Sequence, residues 1–366
     1  MQKTILITGG AGFIGSSFIE IILKKYPEYT VLNLDDLTYA GNLHNLDDVV
    51  VTYGKSGDNK RYYFIKGDIA KWDEVEPIFK DFKIDYVVNF AAESHVDRSI
   101  LSSEPFLRTN IMGTQVLLDL SRKYEVGRFV QVSTDEVYGS LGDEGKFLET
   151  TPIAPNSPYS ASKASADLLI RSYIETHKME CLITRCCNNY GPRQFPEKLL
   201  PLMINNAVNL KSLPVYGEGI NVREWIYVDD HSEGIETVLH KGKKGEVYNI
   251  GSSVELKNID IVKILLEKLS CDERAEKFPK LRELNKLKNE GKLFNLITFV
   301  KDRPGHDLRY AIDSTKIENE LGWKAKYNFE TGINKTIDWY LSNEEWINNI
   351  MNKEYLTYYE QMYKGR

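Results

Sequence analysis

The chain has 366 residues, with 47 Lys and Arg against 53 Asp and Glu, so its formal net charge of −6 argues against a nucleic-acid binder. Apolar residues make up 42% and charged residues 27%, with mean hydropathy −0.39, which excludes a disordered chain and disfavours a membrane-spanning one. At ~150 residues per domain the length suggests two parts.

No apolar run approaches the ~18 residues of a membrane span. The apolar stretch after Lys3 stops at glycines too early for a signal peptide, so a cytoplasmic protein is expected. Four cysteines without CxxC or Cys/His spacing make neither a disulfide framework nor a metal site. The 22 Tyr beside 6 His hint that acid–base chemistry does not rest on histidine.

In chain order, the first half alternates short β-branched runs with helical patterns, the signature of βαβ units and a parallel sheet. Strands are predicted at 4–8, 30–35, 62–66, 86–90, 128–133 and 181–185, and helices at 13–26, 74–82, 109–123 and 159–177. The fold class is α/β, a Rossmann-type doubly wound sheet whose ligands sit at the carboxyl ends of the strands. Pro and Gly punctuation after Asn188 suggests a smaller α/β substrate domain, with an approximate division into 1–187 and 188–366 that the chain can cross. Residues 272–293 interleave both charge signs and read as a solvated helix or pair of helices.

The motif GGAGFIG follows the first strand, and Gly10, Gly12 and Gly15 satisfy GxGxxG, as Gly9, Gly12 and Gly15 satisfy GxxGxxG. Such glycines permit a tight turn and close approach of a pyrophosphate to a helix N-terminus. The second strand ends in Asp35, twenty residues beyond Gly15; an acid there binds ribose hydroxyls and repels a 2′-phosphate, favouring NAD over NADP. Asp68 and Ile69 after the third strand suit the adenine. Phe90, Ala91 and Ala92 after the fourth provide small residues where a cofactor lies close.

In SPYSASK, Tyr159 and Lys163 stand at i and i+4 on one helical face. A tyrosine with an ordinary pKa near ~10 is a poor base, and an adjacent ammonium is expected to lower it. The segment STDEVYG ends the fifth strand with Thr134, Asp135 and Glu136. Alcohol oxidation needs a tyrosinate and a hydroxyl; two further acids imply additional proton transfers, as in an elimination.

The chain resembles the extended short-chain dehydrogenase/reductases, specifically the dTDP-glucose 4,6-dehydratases, from GGAGFIG through DDLTYAGN, NFAAESHVDRSI, STDEVYG, SPYSASKAS, RCCNNYGPRQFPEKLLP and PVYGEGINVREWIYVDDH to DRPGHDLRYAID. The resemblance implies oxidation at C4 of the sugar, loss of water across C5 and C6, and return of hydride to C6, giving a 4-keto-6-deoxy sugar nucleotide for deoxysugar biosynthesis. It implies Tyr159, tuned by Lys163, as the base at the 4-hydroxyl and Thr134 holding that oxygen. Glu136 is then the base at C5, and protonated Asp135 the acid at the departing 6-hydroxyl.

It further implies NAD contacts from Phe13, Ile14, Asp36, Leu37, Thr38, Ser94, Thr109, Tyr159, Lys163 and Asn189. Substrate contacts are implied for Ser94, Asn188, Lys198 and Leu199. Pro214, Val215 and Tyr216 would line the base pocket, and Arg223, Arg303, His306 and Asn258 would meet the diphosphate. Arg98 is left out of the site as half of an ion pair with Asp97 or another nearby acid. The implied assembly is a homodimer through a four-helix bundle formed by the 109–123 and 159–177 helices. A sugar-nucleotide 4-epimerase is the alternative; it shares Thr134, Tyr159 and Lys163 but has no need of Asp135 and Glu136.

Overall fold

The computed structural model describes residues 2–54, 60–302 and 304–350. Among them are twelve strands: β1 (Lys3–Thr8), β2 (Tyr29–Asp35), β3 (Tyr62–Lys66), β4 (Tyr86–Asn89), β5 (Arg128–Thr134), β6 (Cys181–Cys186), β7 (Asn188–Tyr190), β8 (Leu213–Tyr216), β9 (Val222–Tyr227), β10 (Val247–Ile250), β11 (Glu255–Lys257) and β12 (Ile297–Val300). Seven of these form one sheet in the order β3-β2-β1-β4-β5-β6-β10, every pair parallel. A sheet covered on both faces needs near-continuous apolar strands, and all residues of β2 and β6 are buried. The order reverses between β1 and β4, which opens a crevice at their carboxyl ends.

One core lies on the face shared by the helices Phe13–Lys25 and Val228–Lys241. The opposite face is covered by Trp72–Asp81, Thr114–Lys123 and Pro158–His177. The seventh strand, β10, comes from beyond residue 188, because the chain leaves the sheet and then returns through the helix Val228–Lys241. A separate core unites the helices Leu199–Val208, Asn258–Leu269 and Phe329–Ser342 around Leu202, Leu265 and Ile337.

Where a helix is expected at 109–123, the backbone is a π-helix over Leu107–Gly113, followed by an α-helix over Thr114–Lys123. The periodicity does not reveal the widened turn. Asn110 holds both backbone groups of Glu93, with Nδ2 donating to its carbonyl at 3.0 Å and Oδ1 accepting its N–H at 2.9 Å, and also reaches Ser162 Oγ at 2.8 Å. Such insertions favour functional regions. The charged 272–293 stretch forms two short helices, Asp272–Lys277 and Arg282–Asn289, with Leu281 and Leu284 buried against the second core. It leads into β12, which pairs with β8 and supports Pro214 through Tyr216 from the side.

Candidate active site

The glycine loop is shaped by contacts that exclude side chains. A Cβ on Gly9, whose φ is +67°, would stand 2.6 Å from Ala91 N, and one on Gly15 would stand 2.4 Å from Gly9 O. The helix that follows, Phe13–Lys25, has Gly12 at its N-cap, no side-chain cap and no acid in its first turn. Its first amides are thus available to an anion such as a pyrophosphate. Asp35, at the end of β2, accepts the Ala11 N–H at 2.9 Å and the Leu37 N–H at 2.8 Å. Burial pushes its carboxyl up, and these amides oppose that push. The donors and spaces fit a dinucleotide with an unphosphorylated ribose.

A cavity of about 310 Å³ runs along this edge of the sheet. It gathers Gly9, Gly12, Phe13, Ile14, Gly15, Asp35, Asp36, Thr38, Asp68, Ile69, Phe90, Ala91, Ala92, Ser94 and Thr109 from the cofactor half. Thr134, Asp135, Glu136, Tyr159, Lys163, Asn188, Asn189 and Lys198 line the same cavity. Leu37 contributes its amide to Asp35 from a left-handed backbone, and Leu199 begins the helix after Lys198; neither lines the cavity.

Tyr159 and Lys163 are placed by the start of the Pro158–His177 helix. Ser157 caps it in a reciprocal capping box with Ser160, and Pro158 occupies its first position. The Lys163 ammonium donates to Val132 O at 2.8 Å. Thr134, the last residue of β5, caps the following turn by accepting the Glu136 N–H at 3.2 Å. Asp135 and Glu136 therefore open a 3-10 turn directly over the sheet.

Asp135 is buried, with Oδ1 accepting from Thr134 Oγ1 at 3.3 Å and Oδ2 without a hydrogen-bond partner. Burial first, then Glu136 and Glu224, push its carboxyl well above the ordinary range; Arg223 and Thr134 oppose this. That is the condition for a general acid at neutral pH. Tyr159 behaves otherwise than expected. Burial and then Glu136 raise its hydroxyl well above 10, and the hydrogen bond with Thr134 pulls it back only in part. Burial also lowers Lys163. In the cofactor-free pocket, burial and Glu136 thus oppose the lowering expected of Lys163.

The remaining predicted residues lie on the second part, beyond that cavity. The Tyr216 ring is edge-on to His306 at 6.2 Å, and its hydroxyl donates to Asp97 Oδ2 at 3.4 Å. His306 Nδ1 lies 2.6 Å from Asp302 Oδ1. Pro214 and Val215 are buried in β8, and Asn258 opens the helix Asn258–Leu269 with Oδ1 buried and unpartnered. Arg223 donates to Asp307 O at 2.9 Å and Leu308 O at 3.3 Å, with its guanidinium 4.4 Å over Tyr310. Here it braces the 307–308 loop. Arg303 lies outside the described residues.

Sequence reasoning did not single out Tyr39, Glu93, Phe195 or Glu197, which also line the cavity. Tyr39 and Glu197 lie inside the quoted motifs, immediately beside Thr38 and Lys198. Arg98 pairs with Glu197 at 3.0 Å and covers the Tyr39 ring at 4.1 Å, so its acid comes from the second part of the chain.

Comparison with known proteins accords with this geometry. The model of the GDP-mannose 4,6 dehydratase family matches residues 6–336. A dTDP-glucose 4,6-dehydratase of Salmonella typhimurium is 47% identical over 99% of this chain and 99% of its own. The chain belongs to the dTDP-glucose 4,6-dehydratase family. The Escherichia coli dTDP-glucose 4,6-dehydratase 1 is 46% identical over 99% of both chains.

Among solved structures, the dTDP-glucose 4,6-dehydratase of Bacillus anthracis in complex with NAD superposes with TM-score 0.80 at 45% identity, covering 95% of this chain and 99% of that one. The Streptomyces venezuelae enzyme of the same name, with NAD bound, has TM-score 0.84 at 44% identity over 95% and 99%. A UDP-glucose 4-epimerase of Thermotoga maritima shares the fold at TM-score 0.78 with 26% identity over 93% and 99%. Among the described residues no helix is long and apolar enough to cross a membrane.

Proposed function

We propose that the protein is an NAD-dependent dTDP-glucose 4,6-dehydratase that yields the 4-keto-6-deoxy sugar nucleotide. The observation that carries this reading is the buried Asp135 beside Glu136 in the same cavity as Thr134, Tyr159 and Lys163. An epimerase transfers hydride at one carbon and needs no second acid–base pair.

NAD, when bound, supplies the acceptor for hydride leaving C4 and the donor for hydride entering C6. Tyr159 takes the 4-hydroxyl proton, and Thr134 orients that oxygen. Burial raises the Tyr159 hydroxyl, and Lys163, one turn further along the same helix, supplies the positive charge that favours its phenolate. The 4-ketone acidifies the C5 hydrogen, which Glu136 removes as Asp135 gives its proton to the departing 6-hydroxyl. Burial, and after it Glu136, push the Asp135 carboxyl up, which suits it to the acid role.

Lys198, whose ammonium donates to Ser94 O at 3.0 Å, joins the cofactor wall to the substrate wall. Tyr216 offers a ring to the nucleotide base, and His306, Asn258, Arg223 and Arg303 serve its diphosphate. The division into a cofactor part before residue 188 and a mainly nucleotide-sugar part after it follows this assignment. A cytoplasmic location accords with a soluble sugar-nucleotide substrate. Exposed Met112 and Leu168, on the two segments of the proposed bundle, support a homodimer.

Incubation of the purified chain with dTDP-glucose and no added reductant tests the activity: a 4-keto-6-deoxy product, detected by its alkali-induced ultraviolet absorbance, is expected. Formation of dTDP-galactose instead would establish the epimerase, and sedimentation as a monomer at micromolar concentration would remove the dimer.

A further inference from the structure

The C-terminal helix Glu344–Ile350 reaches the glycine loop through a single asparagine. The Trp346 indole N–H donates to Asn45 Oδ1 at 2.8 Å. Asn45 Nδ2 in turn donates to Ala11 O at 2.8 Å. An indole nitrogen can only donate and a carbonyl can only accept, so the two partners fix the orientation of the amide between them. All three residues are buried. Asn45 is also held through its backbone, where Arg193 of the GPRQ motif donates to its carbonyl at 2.8 Å.

The two ends of Ala11 are tied separately. Its N–H goes to Asp35, and its carbonyl accepts from both Asn45 Nδ2 and the Asn42 N–H, the latter at 3.0 Å. The peptide between Ala11 and Gly12 is planar, so fixing that carbonyl fixes the plane from which the Phe13–Lys25 helix starts. The first amides of this helix are the ones available to a pyrophosphate.

We propose that Trp346 is a positioning residue for the cofactor: through Asn45 it locks the Ala11–Gly12 peptide, and so sets NAD affinity from 301 residues away along the chain. This rests on the NAD reading above. The indole ring also packs edge-on against Trp339 with centroids 5.0 Å apart, so a ring must remain if packing and hydrogen bonding are to be separated. Trp346→Phe keeps a ring and deletes the donor. Asn45→Ala deletes the relay.

The test is calorimetric titration of NAD into the full chain stripped of cofactor, for the wild type, both single variants and the double variant. Loss of one neutral hydrogen bond predicts an NAD dissociation constant raised roughly three- to tenfold in each single variant. The double variant should be no weaker than the worse single one, because both substitutions interrupt one chain. At saturating NAD the KM for dTDP-glucose should stay at the wild-type value, a separation that general loosening of the fold would not give. Wild-type NAD affinity in a folded Trp346→Phe protein, or losses that add in the double variant, would overturn the relay. A wild-type chain that takes up no NAD would overturn the cofactor reading itself.

Discussion

Replacing Asp135 by Asn removes one proton from the driest part of the site while keeping the shape of a protonated carboxyl. Asp135 is 2% exposed, and burial ahead of Glu136 and Glu224 holds its carboxyl well above the ordinary 3.8. The folded chain therefore keeps a proton that the unfolded chain releases near pH 4. Below that pH the group has no effect on stability; as pH rises from there toward the folded value, the wild type is progressively destabilised. One proton changes stability by about 1.4 kcal/mol per pH unit, so at pH 7 the ceiling is about 4 kcal/mol.

Asn carries no such proton, and Oδ2 has no hydrogen-bond partner for the amide to lose. The variant should be more stable than the wild type, with a gap that widens as pH rises from 5, by at most about 1.4 kcal/mol per unit. Urea denaturation of both proteins at several pH values in that window measures it. Product formation should fall by about 10²- to 10⁴-fold, the usual contribution of a positioned general acid. A gap independent of pH, or a variant that forms product at the wild-type rate, refutes the argument.

Glu136→Gln should keep the first oxidation and stop before water is lost, seen as accumulating reduced-nicotinamide absorbance on addition of dTDP-glucose; turnover at full rate would remove Glu136 from the mechanism. Tyr159→Phe should lower kcat by about 10²- to 10⁴-fold, with product formation at saturating NAD as the measurement that checks it. The raised Tyr159 hydroxyl also predicts that the cofactor-free chain shows no tyrosinate from this residue at neutral pH, testable by difference ultraviolet titration against Tyr159→Phe. Gly15→Ala would place a methyl 2.4 Å from Gly9 O, and because that atom is backbone, NAD affinity should drop by tenfold or more.

Much of the cofactor half is legible because its signals are local. Six of the seven central strands show as apolar runs, and GGAGFIG and STDEVYG fall where a strand ends. The seventh, β10, is assigned no place in the sheet from sequence, since a four-residue strand reached after an excursion carries no mark of its partner. The π-helix at Leu107–Gly113 is hidden likewise, because Asn110 is held by Glu93 and Ser162, which lie far from it along the chain. Cys186 and Cys187 pack as small buried groups, with thiols pushed up by burial, in keeping with a packing role.

Sequence by itself determined the family, from motifs spread along the chain, and the NAD cofactor, because residue type and spacing along one strand–turn–helix specify a dinucleotide site. Tertiary structure decided the charge states and the bracing. Desolvation sums over atoms from the whole fold, so only the folded chain shows the Asp135 carboxyl and the Tyr159 hydroxyl pushed up by burial. The same holds for Arg223, which braces the 307–308 loop, and for Trp346, whose partner Asn45 no spacing rule connects to it.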